Sequence, residues 1–154
     1  MQQRELGQAH TPVSAIGYGA MSFSDFYGPT DDAKSFAILD RCMDLGITHL
    51  DTSNVYGLGL SEQRIGAYLK QRGQQARDFF TIATKAGIAS KPDGSRYFNN
   101  SPEHLRKELD GSLQRLGVEQ VELLYVHRRD ASVPIDEVAQ SLSLIHISEP
   151  TRLV

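Results

Sequence analysis

The sequence predicts an α/β protein in which parallel strands alternate with helices. Short apolar segments rich in β-branched residues are followed by longer segments with helical periodicity. The predicted strand ends recur at intervals of roughly 30 to 40 residues, which is the length of a strand–helix–strand unit. About four such units fit into 154 residues, so the sheet is either part of a (β/α)8 TIM barrel or an open doubly wound sheet.

The first unit combines a predicted strand at residues 14–21 with a helix at residues 30–46. Thr30 and Asp31 are residues that accept hydrogen bonds from the free backbone N–H groups at a helix start. Gly46 suits the left-handed conformation that ends many helices. The face expected to be buried carries apolar residues at helical spacing: Phe36, Leu39 and Met43.

Three further units follow in the same alternation. Strands are predicted at residues 47–52, 79–86 and 121–127, and helices at residues 61–73 and 101–117 and from residue 134 onward. The helix at 101–117 has the clearest signals, because Ser101 can cap its first turn and Pro102 is tolerated there. Its apolar face consists of Leu105, Leu109, Leu113 and Leu116.

Composition restricts the classes of partner. The net charge is −3, so the chain lacks the basic excess typical of nucleic-acid binding. The N-terminal residues lack the apolar core of a signal peptide, and no apolar run is long enough to cross a bilayer. We therefore expect a cytoplasmic protein without nucleic-acid or membrane partners. The single cysteine, Cys42, lies among helical apolar positions and is expected to be buried and structural.

Three ionisable residues stand at the ends of successive predicted strands. They are Asp51, Lys85 and His127, and strand alternation places His49 on the same face as Asp51. The carboxyl ends of parallel strands converge, and active sites of α/β proteins are built there. A purely structural alternative is a buried ion pair between Asp51 and Lys85 beside a hydrogen-bonded His127.

Tyr56 lies five residues after Asp51 in a predicted loop. A phenol ionises near pH 10 in water, so it transfers protons at neutral pH only where a nearby cation stabilises the phenolate. Lys85 can supply that cation, and Asp51 can hold the ammonium group in place. The residues thus predict a general acid that protonates a developing alkoxide, with His127 placed to bind or relay. Alternatively, Tyr56 is a loop aromatic packed under its own turn.

Four segments resemble the aldo-keto reductase family, in particular its pyridoxal-reductase-like branch. They are "VSAIGYGAMSFSDFYGPTDD", "GITHLDTSNVYGLGLSEQRIG", "ATKAG" and "LLYVHRRD". The resemblance covers residues 5–140 and implies a barrel fold and NADPH-dependent reduction of a small-molecule carbonyl substrate. It also implies a catalytic tetrad of Asp51, Tyr56, Lys85 and His127. Cofactor contacts are implied at Gly19, Ala20, Met21 and Asp51.

Several alternatives compete with this interpretation. A doubly wound dehydrogenase is disfavoured, because Gly57 and Gly59 alone are a weak phosphate-loop signal and no complete dinucleotide motif occurs. A barrel metallohydrolase would use His49 and Asp51 as ligands, but would leave Lys85 without a role. A cofactor-binding subunit without catalytic activity could retain all four tetrad residues.

The end of the chain raises a separate expectation. Residues 142–152, "LSLIHISEPTR", resemble the translation of a transposase adapter used in preparing sequencing libraries. We therefore expect residues 1–141 to be the amino-terminal half of a reductase barrel and residues 142–154 to be a non-native tail. The alternative is a natural ending in which Leu144, Ile145 and Ile147 form a fifth strand. Because four strands cannot close a barrel, we expect the chain alone to self-associate and to show little or no reductase activity.

Overall fold

The computed structural model describes residues 1–8, 10–91 and 93–148. The strands in these residues are β1 Gln3–Leu6, β2 Thr11–Ser14, β3 Tyr18–Gly19, β4 His49–Asp51, β5 Thr81–Ala86, β6 Ile88–Ser90, β7 Arg96–Phe98 and β8 Leu123–Val126. The helices are α1 Asp32–Leu45, α2 Leu60–Arg72, α3 Gln74–Phe79, α4 Pro102–Leu116 and α5 Ile135–Ser148, and a short 3-10 helix covers Ala20–Ser24.

Four strands form the central sheet of the described part, in the order β3-β4-β5-β8. All neighbouring pairs in this sheet are parallel. Helices separate each strand from the next along the chain, which confirms the predicted α/β class with four strand–helix units. None of the helices in the described residues is both long enough and apolar enough to cross a membrane.

Two antiparallel hairpins and one helix were not expected from the sequence pattern. The hairpins are β1–β2 and β6–β7, and the additional helix is α3. The first sheet strand is also much shorter than predicted, because the chain enters the 3-10 helix directly after Gly19. As a result Gly19, and not Met21, lies level with Asp51 in the sheet.

The helix ends follow the capping signals of the sequence. The Asp31 carboxylate accepts a hydrogen bond from the backbone N–H of Lys34, and the Ser101 hydroxyl accepts one from that of His104. Gly46 and Gly117 adopt positive φ angles of 72° and 65° at the ends of α1 and α4. These conformations are costly for residues with a Cβ, which explains why glycine stands there.

The main core lies between the sheet and helices α1 to α4. Its fully buried side chains include those of Leu39, Leu50, Ile65 and Tyr68. Cys42 is 3% exposed within this core, and burial raises the pKa of its thiol. The expected burial of this cysteine is therefore confirmed.

Helices α2 and α4 approach each other closely beneath the sheet. A Cβ at Gly66 of α2 would overlap the backbone carbonyl oxygen of Arg115 in α4, so only glycine permits this distance. Nearby, the fully buried carboxylate of Glu62 accepts hydrogen bonds from Arg115 Nε at 2.6 Å and from Thr84 Oγ1 at 2.5 Å. This partly buried ion pair, in which the Arg115 side chain is 26% exposed, connects both helices to strand β5, which carries Lys85.

Residues 135–148 form one continuous helix, α5. Leu144 and Ile145 are therefore helical, and the alternative of a fifth strand at this position is wrong. The helical periodicity of residues 135–142 continues through residue 145, whose side chain packs into a second apolar cluster with Leu105 and Leu109 of α4. The rest of the expected tail, residues 149–154, lies outside the described residues.

Candidate active site

Lys85 occupies the centre of the candidate site, near the carboxyl end of β5. Its ammonium group donates a hydrogen bond to Asp51 Oδ1, with which it forms an ion pair. It also donates to the backbone oxygen of Thr52 at 2.9 Å and to the Tyr56 hydroxyl oxygen at 3.1 Å. The Lys85 side chain is 14% exposed, so these three oxygens replace most of the water molecules that would hydrate its ammonium group in solution.

The loop that carries Tyr56 is tied to strand β5 by its backbone. Thr52 N–H donates to the Ala83 carbonyl oxygen at 2.9 Å, and Asn54 N–H donates to that of Lys85 at 3.4 Å. The loop then turns through Gly57, Leu58 and Gly59, all of which have positive φ angles, before α2 begins. This turn keeps the phenol of Tyr56 over the strand ends.

Arg64 holds the loop that follows β3. Its guanidinium group is largely buried and donates hydrogen bonds to the carbonyl oxygens of Phe23 at 2.6 Å and Thr30 at 3.2 Å. It also contacts the Asp32 carboxylate at the start of α1, at 3.2 Å. The Arg64 guanidinium group on α2 therefore fixes the loop between β3 and α1, which lies beside the candidate site.

His127 follows directly after β8 and faces Tyr56. The two ring centroids are 5.9 Å apart, with an interplanar angle of 86°. Ser53 Oγ lies 3.0 Å from His127 Nδ1, and the backbone N–H of His127 donates to the Ala86 carbonyl oxygen at 2.7 Å.

The environment of His127 favours its neutral form. Burial is the largest cause of the lowered pKa of this imidazole, and the cations Lys85, Arg128 and Arg96 lower it further. The Asp51 carboxylate opposes them. His127 is therefore an uncharged hydrogen-bonding group at neutral pH.

The geometry brings together all four residues that the sequence places at strand ends and in the Tyr56 loop. The ion pair of the structural alternative is present, but Lys85 also contacts the Tyr56 hydroxyl, and its Nζ lies 4.8 Å from the centroid of that ring. Tyr56 is consequently not an isolated loop aromatic. A phenol in contact with an ammonium group is an arrangement that can transfer a proton.

The four residues expected to contact a cofactor differ in accessibility, and the Asp51 side chain, which pairs with Lys85, is 33% exposed. Gly19 is exposed, lies next to Asp51, and has open space where a Cβ would stand. Ala20 is fully buried, and its carbonyl oxygen already accepts a hydrogen bond from Ser61 Oγ at 2.8 Å. Its side chain therefore faces the core. Met21 is half-buried in the 3-10 helix.

The metal-binding alternative lacks a complete ligand set. His49 and Asp51 are both on β4, but the described residues contain no group of three or more His, Cys, Asp and Glu side chains that could hold a metal ion. The Asp51 carboxylate is engaged by Lys85. His49 is packed against Gly17, whose added Cβ would lie 3.0 Å from the imidazole Cδ2 atom.

Three residues around the site were not expected from the sequence. Ser53 contacts His127, Asn54 Nδ2 donates to Glu108 Oε2 at 2.6 Å, and Glu108 belongs to α4. Ser53 and Asn54 directly follow the predicted strand that contains Asp51, which is a weak signal. The position of Glu108 depends on how α4 packs, and a single sequence does not show this.

Comparisons with known proteins agree on one family. The sequence model described as "Aldo/keto reductase family" matches residues 15–146. Aldo-keto reductase yakc (NADP(+)) of Schizosaccharomyces pombe is 39% identical over 140 residues, covering 90% of this chain and 40% of that protein. L-glyceraldehyde 3-phosphate reductase of Escherichia coli strain K12 is 34% identical over 145 residues, covering 93% and 41%.

A solved structure shows the same similarity in three dimensions. Aldo-keto reductase AKR11C1 from Bacillus halodurans, in its holo form, superposes with a TM-score of 0.81 at 31% identity. The superposition covers 97% of this chain and 47% of that chain. The chain thus spans about 40% of the length of the two curated relatives and about half of the barrel structure.

Proposed function

Because the chain belongs to the aldo/keto reductase family, we propose that it is part of an NADPH-dependent oxidoreductase that reduces aldehydes or ketones to alcohols. The observation that carries this proposal is the position of Lys85 Nζ, which contacts both the Asp51 carboxylate and, at 3.1 Å, the Tyr56 hydroxyl. An ion pair that only stabilises the fold does not require a phenol beside the ammonium group. Transfer of a proton to a substrate does require a group such as the Tyr56 phenol.

Each of the four tetrad residues has a separate role in the proposed carbonyl reduction. NADPH, when bound, supplies a hydride to the carbonyl carbon. Tyr56 gives its phenolic proton to the carbonyl oxygen, on which negative charge develops. Lys85 stabilises the resulting phenolate, and Asp51 holds the ammonium group in position. His127, as a neutral imidazole, binds the oxygen-bearing group of the substrate or product.

The end of strand β3 suits the nicotinamide side of the cofactor. Gly19 leaves open space beside Asp51, so a flat ring can approach the backbone there. Ala20 has only its backbone N–H to offer, since its side chain is buried and its carbonyl oxygen accepts from Ser61 Oγ. Met21 contributes from the 3-10 helix. The preference for NADPH over NADH follows the name of the yakc relative.

The 154-residue chain alone is proposed to have little or no reductase activity. The described sheet has only four parallel strands, and a barrel requires eight. We also keep the proposal that residues 142–154 are a non-native tail. Sequencing the coding DNA tests it, because codons for residues 142–152 that depart from the adapter sequence would contradict a foreign origin.

The test of function uses a protein whose coding sequence continues past residue 141 to the length of the relatives. NADPH oxidation with an aromatic aldehyde is measured for wild type, Tyr56→Phe and the control Tyr97→Phe. Tyr97 lies on the exposed hairpin strand β7. We expect Tyr56→Phe to lose at least about 100-fold in kcat, since general acid catalysis contributes that much, and Tyr97→Phe to retain activity.

Binding and turnover separate the reductase from the alternative function. Fluorescence titration with NADPH measures cofactor affinity in the same proteins. Tight NADPH binding without turnover of aldehydes or ketones would support a non-catalytic cofactor-binding subunit. Undiminished turnover in a folded Tyr56→Phe protein would contradict the role of Tyr56 as the acid.

A further inference from the structure

Two arginines stand beside the candidate site, where β5 and β8 end. Arg128 directly follows His127, and Arg96 begins strand β7 of the hairpin β6–β7. This hairpin starts at Ile88, only three residues after Lys85. Both arginines are exposed, so their guanidinium groups are accessible to a small molecule that enters the site.

The backbone segments that carry the two arginines are held together by a buried amide. Asn100 is 1% exposed; its Nδ2 donates to the Arg128 carbonyl oxygen at 3.0 Å, and its Oδ1 accepts from the backbone N–H of Asp130 at 2.6 Å. A Cβ at Gly87 would lie 2.8 Å from Asn100 Nδ2, so glycine makes room for this amide. Asn99 N–H donates to the Gly87 carbonyl oxygen at 3.0 Å and closes the base of the hairpin. The loop after β8 and the hairpin after β5 therefore have fixed positions beside the site.

The positive charge of the two arginines reaches the site without an acidic partner. Burial is the largest cause of the lowered pKa of His127, followed by the charge of Lys85, and Arg128 and Arg96 lower this pKa further. Lys85 is paired with Asp51. No carboxylate in residues 1–8, 10–91 and 93–148 forms an ion pair with either arginine. Two cations are thus available to an anion bound next to the imidazole.

We propose that Arg96 and Arg128 select carbonyl substrates that carry an anionic group, a carboxylate or a phosphate. This inference rests on the proposed reductase function and names the class of substrate for that site. The guanidinium group presents paired N–H donors that match the oxygens of carboxylates and phosphates. While the substrate carbonyl meets Tyr56 and His127, its anionic end binds at the arginines. A neutral aldehyde lacks this second attachment.

The test compares substrates that differ only in charge. It uses the protein whose coding sequence continues to the length of the relatives. The values of kcat/KM with NADPH are measured for 4-carboxybenzaldehyde and for its neutral methyl ester. We expect the acid to be preferred roughly tenfold, because two exposed ion pairs contribute a few-fold each. High ionic strength should reduce this preference.

The variants Arg96→Gln and Arg128→Gln test the two cations separately. We expect each to reduce the preference for the acid about threefold, mainly through a higher KM. Both side chains are exposed, and Asn100 binds the backbone of Arg128, so the fold is retained, which circular dichroism checks. Arg129→Gln is the matched control: Arg129 is also exposed, its charge acts on Asp130, and it is not among the cations that lower the pKa of His127. It should keep the preference.

A second pair of substrates distinguishes the two kinds of anion. Glyceraldehyde 3-phosphate is compared with glyceraldehyde in the same proteins. A preference in the first pair alone identifies a carboxylate as the selected group, and a preference in the second pair alone identifies a phosphate. The loss of either preference in the Arg96→Gln and Arg128→Gln variants supports the inference.

Binding measured without turnover separates this inference from the proposed function. Calorimetry with NADP⁺ present compares 4-(hydroxymethyl)benzoate with its methyl ester. Tighter binding of the acid, lost in the double variant of Arg96 and Arg128, in a protein that reduces no carbonyl compound would refute the proposed function alone. An active enzyme without a preference for either anion, or with one that the double variant keeps, would refute this inference alone. Weaker NADPH binding in the double variant at an unchanged acid-to-ester ratio would also overturn it, because the arginines would then serve the cofactor.

Discussion

Asp51, Lys85 and His127 show how far strand alternation determines the positions of single side chains. Each was predicted at the end of a strand, and each lies there in the structure, because parallel strands in register bring their carboxyl ends to one edge. Strand alternation does not determine the position of Tyr56, because this residue lies in a loop. Its loop is held by backbone bonds to β5, and these depend on the tertiary fold.

Ser53, Asn54 and Glu108 are the site residues that sequence reasoning missed. A buried serine and asparagine shortly after an aspartate have no distinctive pattern, and Glu108 lies between the apolar positions Leu105 and Leu109 of α4. Its contact with Asn54 arises from the packing of α4 against the sheet. Hydrogen bonds between side chains distant in sequence are thus the part of the site that one sequence does not predict.

The titration of His127 predicts a dependence of stability on pH. A histidine ordinarily has a pKa near 6.5. The folded structure lowers the pKa of His127, so the unfolded chain binds this proton at a higher pH than the folded chain. The stability linked to neutral His127 is therefore fully present above about pH 6.5 and is lost as the pH falls through the lower pKa of the folded state.

Urea denaturation of wild type and His127→Gln checks this prediction. We expect the free energy of unfolding of wild type to decrease relative to that of the variant as the pH is lowered below about 6.5. All other ionisable groups are shared by the two proteins, so the difference reports His127. A difference that is constant with pH, or that increases in acid, would contradict the lowered pKa.

At the scale of elements, helices were predicted more reliably than strands. The predictions for α1 and α4 agree with the structure because side-chain caps and apolar periodicity both mark them. Helix α2 was also predicted, although no side chain caps its start. The hairpins β1–β2 and β6–β7 consist of short and mostly exposed strands, which lack an apolar alternation. The apolar pattern of the sequence therefore gives no signal for their pairing.

The close contact between α2 and α4 predicts different effects for two glycine substitutions. Gly66→Ala places a methyl group against the carbonyl oxygen of Arg115, and we expect it to destabilise the fold by about 1–3 kcal/mol. Gly111→Ala is the comparison within α4. Its Cβ would lie 3.0 Å from Arg115 Nη1, and the same guanidinium group pairs with Glu62. The gain of up to about 1 kcal/mol from the helix propensity of alanine offsets a small shift of this group, so we expect Gly111→Ala to change the free energy of unfolding less than Gly66→Ala does. Equal effects in urea denaturation would contradict the prediction.

The ion pair of the fully buried Glu62 carboxylate with Arg115, which is 26% exposed, predicts a larger loss. Arg115→Ala leaves the Glu62 carboxylate, which is fully buried, with Thr84 Oγ1 as its remaining hydrogen-bond donor in the described structure. An uncompensated buried charge costs about 3–5 kcal/mol, so we expect a decrease of that size in the free energy of unfolding.

Arg72→Ala provides the comparison for this loss. Arg72 pairs with Asp40 at 2.5 Å, and both side chains are about 40% exposed. Surface pairs contribute about 0–1 kcal/mol because water replaces the partner. A loss for Arg115→Ala no larger than that for Arg72→Ala would show that the Glu62 pair is not required for stability.

At the scale of the molecule, the sequence predicted four strand–helix units, and the structure has four parallel strands in the order β3-β4-β5-β8. Both edge strands, β3 and β8, lack a second partner among the described residues. A cavity of about 360 Å³ lies beside β8, lined mainly by apolar residues of α4, β8 and α5. None of its lining residues belongs to the tetrad.

This open side predicts that the 154-residue chain self-associates. Unpaired parallel strands and an adjacent apolar cavity are a template for pairing with another chain. Sedimentation should give a mass well above the 17.1 kDa of one chain.

Leu123→Lys places a charge on the edge strand β8 in the wall of the cavity and should shift the mass towards the monomer. Ile135→Lys makes a similar exchange at an exposed position of α5 and should leave the mass unchanged. A monomeric wild-type chain that melts cooperatively and oxidises NADPH would contradict both the association and the proposed inactivity of the chain alone.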